Sequence, residues 1–163
     1  ALKLAFKQAK GRVTCYMDVD LATPVHHLVQ LIGSIDSGYD VATGSRLLPQ
    51  SVAYRKAVRK TASRTYNLAI RLLFRSQVHD HQCGFKAFSR RALSLLLDEV
   101  EARHWFWDTE ILILAQRNGL KVKEFPISWN PPSDTKVNLV TDILQMTLQA
   151  LQLWFKLNML SDR

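Results

Sequence analysis

Arg12-Val-Thr-Cys-Tyr-Met-Asp18-Val-Asp20 joins a β-rich apolar stretch to two carboxylates separated by one residue. In an α/β protein the carboxyl end of a parallel strand is where ligands bind. Two acids placed there repel each other, and a buried strand end does not tolerate unpaired charge. A divalent cation such as Mg²⁺ or Mn²⁺ answers both problems, because it takes oxygen ligands and holds substrate phosphates with them. By itself the triplet reads better as a turn in which Asp hydrogen-bonds the backbone. The neighbouring sequence has to decide between the two.

Upstream, residues 1–10 carry Leu2, Leu4, Ala5, Phe6 and Ala9 in a short basic amphipathic helix that Gly11 ends. Downstream, Thr23-Pro24 is a helix start, with Thr as N-cap and Pro at the first position. That helix is predicted to run to Ser37-Gly38 and to bury Val25, Leu28, Val29 and Ile32. Asp40-Val-Ala-Thr43 reads as a buried strand broken by Gly44-Ser45-Arg46. The alternation predicts a mostly parallel sheet flanked by helices. A helix from Tyr54 to Arg75 follows, with Val58, Ala62, Thr65, Ala69 and Leu72 as its inward stripe and Arg55, Arg59, Lys60 and Arg64 on another face. His79 to Phe88 reads as a loop entering a strand, and Ser89 caps a helix through Leu97. Trp107-Asp-Thr-Glu110 opens a helix to Asn118-Gly119, and Lys121 to Trp129 is a strand. Pro131-Pro132 starts a loop, and a long helix from about Val137 to Leu160 is rich in Leu, Met, Trp and Phe.

The 163 residues, 47% hydrophobic, can bury one core. Lys and Arg number 22 against 14 acids, a formal charge of +8, which suits an anionic partner. Between Val41 and His79 there are eight bases and no acid. Cys15 and Cys83 lack a zinc-like spacing and read as buried thiols. Of the five histidines, His26, His27, His79 and His81 form no coherent ligand set and read as structural or surface residues.

Several ordered stretches resemble the family 2 glycosyltransferases that charge a polyprenyl phosphate lipid, such as dolichyl-phosphate glucosyltransferases and mannose synthases. They are Asp18-Val-Asp20-Leu-Ala-Thr-Pro24, Gly44-Ser-Arg46, Arg59-Lys60 with Ser63, and Asp80-His-Gln-Cys-Gly-Phe-Lys86. Trp107-Asp-Thr-Glu110, Glu124-Phe-Pro-Ile-Ser-Trp129 and Thr135-Lys136-Val137 continue the series. Gln82 to Lys86 and Ala22-Thr23 look closer to the glucosyl branch.

The resemblance implies a GT-A-like catalytic domain over 1–136 and an amphipathic, membrane-associated helix over 137–163. It implies an inverting transfer of sugar from a nucleotide diphosphate sugar, UDP-glucose favoured, to polyprenyl phosphate at the cytoplasmic face of a membrane. Mg²⁺ or Mn²⁺ is the implied cofactor, with Asp18 and Asp20 as its ligands, and Asp18 is a candidate for the nucleotide ribose as well. Asp80 is implied as a catalytic acid of the sugar pocket, with Gly84 and Glu110 beside it. Arg46, Arg59, Lys60, Ser63 and Lys136 are implied at the acceptor phosphate or diphosphate. For Arg59 and Lys60 a solvated basic face stays open, and for Glu110 a first-turn acid complementing the helix dipole.

The resemblance also implies that part of the nucleotide-binding sheet precedes this chain in its relatives. Residues 1–163 are therefore expected to be inactive alone, and an open strand edge favours self-association into a homo-oligomer. The alternatives are a basic nucleic-acid-binding module and a family 2 transferase acting on a polysaccharide. The first lacks aromatics interleaved with its bases, so nucleic acid is not the expected partner. The second usually carries a Gln-x-x-Arg-Trp motif, which is absent.

Overall fold

The computed structural model describes residues 2–54, 57–130 and 139–159. A four-stranded sheet forms its centre, in the order β1-β4-β2-β5. Its strands are β1 (Val13–Met17), β2 (Val41–Ser45), β4 (Phe85–Ser89) and β5 (Val122–Pro126). β2 and β5 pair parallel, whereas β4 pairs antiparallel with both β1 and β2. The expectation of a mostly parallel sheet therefore holds for strand direction, since β1, β2 and β5 run one way. It fails for pairing, because β4 enters between β1 and β2 from the opposite side and makes the sheet mixed. A second, two-stranded sheet pairs β3 (Val52–Ala53) with β6 (Ser128–Trp129), so the predicted strand over Lys121 to Trp129 is two strands in two sheets.

Alternation along β4 divides the core. Phe85 and Ala87 face α2 (Leu28–Asp36) with Ala42, Phe125 and Ile127. Phe88 faces the other side, against α1 (Leu2–Gln8), α4 (Arg90–Glu99) and α5 (Trp107–Arg117), where Phe6, Leu96, Trp107 and Ile111 close the cluster. Ser89 caps α4 as expected, accepting from the Ala92 amide at 3.1 Å. A third cluster joins α3 (Ala57–Phe74) to α6 (Leu139–Met159) through Tyr66, Ile70, Met146, Ala150 and Leu153.

Two helix faces differ from their sequence reading. α2 buries Leu31 and Ile35, while Val25, Val29 and Ile32 are exposed. The chain first makes a 3₁₀ turn over Val25–His27 with Pro24, rather than Thr23, at the cap position. His27 is buried there: its Nε2 accepts from the Ser128 amide at 3.1 Å and its Nδ1 lies 2.7 Å from Gln30 Oε1. Those bonds set the phase of the helix that follows. In α3 the inward residues are Tyr66, Asn67 and Ile70, and Val58 and Leu72 are exposed. Tyr66 and Asn67 face inward because they satisfy polar groups, Tyr66 at Thr109 (3.1 Å) and Asn67 at His81.

His81 is a satisfied core histidine. Its ring bonds Asn67 Oδ1 and Ser76 Oγ, each at 2.8 Å. Burial pushes its pKa down to about 3. The unfolded imidazole takes a proton near pH 6.5 and the folded one does not, so stability falls as pH drops below that value. The loss from this group reaches about 2 kcal/mol by pH 5. His81→Gln should be less stable than wild type at pH 7, with the gap narrowing at pH 5, as urea unfolding at the two pH values will show.

Candidate functional site

The topology brings four stretches to one edge of the sheet. β1 and β2 end there at Asp18 and Arg46, β5 ends there before Trp129, and the loop 79–84 arrives there because β4 runs the other way. The Asp18 amide donates to the Gly84 carbonyl at 2.9 Å, one step beyond the β1–β4 ladder. The Asp18 carboxylate then lies directly over Gly84. A Cβ at position 84 would sit 2.1 Å from Asp18 Oδ1, so only glycine leaves room for that acid.

Asp18 is exposed, and its pKa is raised, first by desolvation and then by the Asp20 charge, with Lys86 and Arg46 opposing. Asp20 is exposed and its Oδ1 accepts from the Ala22 amide at 3.1 Å, so the turn reading of this acid is realised. Leu21, directly after Asp20, takes φ 52, which turns the chain sharply behind the two carboxylates. Among the described residues no group of three or more His, Cys, Asp or Glu converges as a metal site. Two carboxylates this close in sequence still suit a divalent cation, which takes one or two carboxylates and completes its shell with water and substrate phosphate.

Asp80 and Arg46 form one unit. The Arg46 guanidinium grips both carboxylate oxygens, Nε to Oδ2 at 2.6 Å and Nη2 to Oδ1 at 2.8 Å, and the Arg46 amide adds a bond to Oδ2 at 2.9 Å. Asp80 is fully buried, and Arg46 also donates to the Gln82 carbonyl at 2.8 Å while its guanidinium lies 5.4 Å from the centre of the Trp129 ring. A carboxylate held this way does not present a free oxygen to a substrate. Asp80, expected as a catalytic group, and Arg46, expected on phosphate, are here bonded to each other. Below them Glu124 accepts from the amides of His79 and Asp80, tying β5 to the same loop.

Glu110 is also placed away from this edge. Its Oε2 accepts from the amides of Glu101 (3.0 Å) and Ala102 (2.6 Å), bracing the turn before α5. The acid of that motif that reaches the sheet is Asp108, which sequence reasoning passed over. Residues two apart on a helix point to nearly opposite sides, so Asp108 and Glu110 could not both face the sheet. Arg59 is half-buried and Lys60 exposed on the first turns of α3, and Ser63 Oγ is buried without a hydrogen-bond partner among the described residues. Asn67 links that helix to the site loop through the His81 amide at 2.8 Å. Lys136, the boundary at 136–137 and Arg55 lie outside the described residues. A groove of about 1170 Å³ lined by Ser76, Gln116, Lys121 and Trp154 holds none of the predicted site residues.

The Arg46–Asp80 pair has a measurable consequence. Arg46→Ala leaves a buried carboxylate uncompensated, and should lower stability by about 3–5 kcal/mol. Chemical unfolding at pH 7 will read it.

Residues 1–97 match the model of the family described as Glycosyl transferase family 2. Over 158 residues the chain is 54% identical to Glycosyltransferase AglD of Haloferax volcanii, covering 96% of this chain and 25% of that protein. It is 29% identical over 160 residues to the dolichyl-phosphate beta-glucosyltransferase of Saccharomyces cerevisiae, covering 90% of this chain and 48% of that one. The chain thus spans about a quarter to a half of the length of these relatives. Its fold is similar to glucosyl-3-phosphoglycerate synthase from Mycobacterium tuberculosis, solved in complex with Mn²⁺, UDP-glucose and glycerol 3-phosphate. That likeness has a TM-score of 0.68 at 19% identity, over 94% of this chain and 53% of the other. With the strand-end acids, the Gly84 cradle and the family match in agreement, the chain belongs to glycosyl transferase family 2.

Proposed function

We propose that this domain serves the transfer of a sugar, glucose from UDP-glucose, to a polyprenyl phosphate such as dolichyl phosphate, with inversion at the anomeric carbon. The observation that carries the choice of acceptor is the state of three acids. Asp80 is held by Arg46, Asp108 by Lys86 and Tyr16, and Glu110 by two backbone amides. A sugar hydroxyl acceptor needs a carboxylate free to take its proton, whereas a lipid phosphate oxygen is already ionised at neutral pH. The engaged acids therefore favour phosphate over a polysaccharide hydroxyl.

In the transfer a phosphate oxygen of the lipid forms a bond to the anomeric carbon as the bond from that carbon to the diphosphate breaks. The electron pair leaves with the nucleotide diphosphate, and no proton has to move. What the chain must supply is position and charge. Asp18 and Asp20 would hold Mg²⁺ or Mn²⁺, and that cation would supply positive charge to the diphosphate. Gly84 keeps the Asp18 carboxylate at the strand end, and the Arg46–Asp80 pair stiffens the loop facing it. Arg59, Lys60, Ser63 and Lys136 are assigned to the anionic groups of acceptor and donor. The name of the yeast relative supports this reading, the Haloferax name supports glycosyl transfer, and the Mn²⁺–UDP-glucose complex of the structural neighbour supports the donor.

A lipid acceptor also needs a membrane-facing side. α6 buries Met146, Ala150 and Leu153 against the body, while Leu144, Leu148, Leu151, Phe155 and Met159 line its opposite side, each 42–73% exposed. On α3, exposed Val58, Leu68 and Leu72 lie beside the basic row Lys60, Arg64 and Arg71, with Arg75 just past its end. Apolar lanes bordered by cations suit the surface of an anionic bilayer. No described helix is long and apolar enough to cross a membrane. The cytoplasmic face is the side assigned to this surface, and contact through the open edge of β1 is the assigned route to a homo-oligomer.

Two measurements test the proposal. In the full-length protein, Asp20→Asn should cut radiolabel transfer from UDP-glucose to dolichyl phosphate by at least about 100-fold, and excess chelator should do the same to wild type. Full activity in either case overturns the assignment of Asp20. Replacing Leu148 and Phe155 by Glu should release the protein from phosphatidylglycerol-containing vesicles in a flotation assay, and unchanged flotation would remove α6 from the membrane surface.

A further inference from the structure

Lys86 sits on β4 with its side chain fully buried, a placement that costs heavily unless the ammonium is bonded on every side. Three acceptors surround Nζ. Asp108 Oδ1 lies at 2.6 Å, the Cys83 carbonyl is in direct contact, and the His81 carbonyl is at 3.4 Å. Tyr16, the register partner of Lys86 on β1, completes the cluster by donating its hydroxyl to the same Asp108 oxygen. Its ring centre is 5.9 Å from Nζ. The cluster is thus anchored on β1, β4 and α5, the three elements under the site.

The Cys83 carbonyl is the link to the chemistry. It belongs to the peptide joining Cys83 to Gly84, and Gly84 is the residue on which the Asp18 carboxylate lies and to whose carbonyl the Asp18 amide donates. A shift of that peptide by a fraction of an ångström moves the floor under Asp18. The His81 carbonyl, on the same ammonium, ties in the turn that carries Asp80. We infer that Lys86 and Asp108 are positioning residues for the strand-end acids, acting through the Cys83–Gly84 peptide and touching neither donor nor acceptor. Their importance to transfer rests on the reading of Asp18 given above. Their effect on the place of Asp18 does not.

Removing Lys86 alone would strand Asp108 in the interior, so the charges are removed together. Lys86→Met with Asp108→Asn takes away both charges and the bond to Cys83, while Asp108→Asn alone loosens the anchor and keeps that bond. Amide hydrogen exchange followed by NMR compares Asp18 with the amides of β2, whose strand takes no part in the cluster. The double variant should speed Asp18 exchange by about tenfold relative to β2, and Asp108→Asn by about threefold. Exchange at Asp18 that keeps step with β2 in whichever of the two variants folds overturns the proposal, since a merely structural pair would loosen both together.

A second arm adds MnCl₂ with UDP and follows paramagnetic broadening at Asp18, Val19 and Gly84. About tenfold more Mn²⁺ should be needed in the double variant, and in Gly84→Ala, which displaces Asp18 without touching Lys86. Wild type that shows no local broadening counts against the metal reading of Asp18, while the exchange arm still decides the positioning claim.

Discussion

The insertion of β4, antiparallel, between β1 and β2 governs the arrangement of the site. β1 and β2 run the same way but do not pair with each other; each bonds to β4 instead. A strand entering from the opposite direction delivers the loop before it to the carboxyl ends of its neighbours. Residues 79–84 therefore stand beside Asp18 and Arg46 without any long excursion of the chain. Were β4 parallel, that loop would lie at the other edge and the strand-end acids would face nothing.

Such an arrangement places polar loops in a buried setting, and the protein answers with paired charges rather than apolar filling. Arg46 is spent on Asp80, Lys86 on Asp108 and two carbonyls, and Glu124 on two amides of the same loop. Buried pairs of this kind add little net stability compared with apolar packing, but breaking one is costly because the partner stays behind. Their effect is to hold residues 79–84 in one conformation. Among the described residues the Asp18–Asp20 pair at that edge has no cationic side chain bonded to it, and of the two carboxylates only that of Asp20 takes a bond, from the Ala22 amide.

α6 shows the opposite economy of contacts. Its inner stripe completes the cluster with α3, so the helix is integral to the body. Its outer stripe is as apolar as the inner one and is 42–73% exposed, which is unusual for a helix on a water-facing surface. One side of the helix packs on the body and the other presents an exposed apolar face.

The sequence by itself determined the elements and the family. The positions of β1, β2, β4, α4, α5 and α6 follow from local signals, Ser89 as a cap and Gly119 beyond α5 among them, and such signals act over a few residues. The ordered stretches from Asp18 to Trp129 likewise pointed to family 2 before any contact was known. Only the tertiary structure decided how the charged side chains are shared out. Asp80 and Arg46 are 34 residues apart and Lys86 and Asp108 are 22 apart, so no local pattern could show that they neutralise one another. The helix faces were misread for the same reason. Tyr66, Asn67 and His27 turn inward because distant polar groups need partners, and a count of apolar residues along one helix cannot register a need that lies on another element.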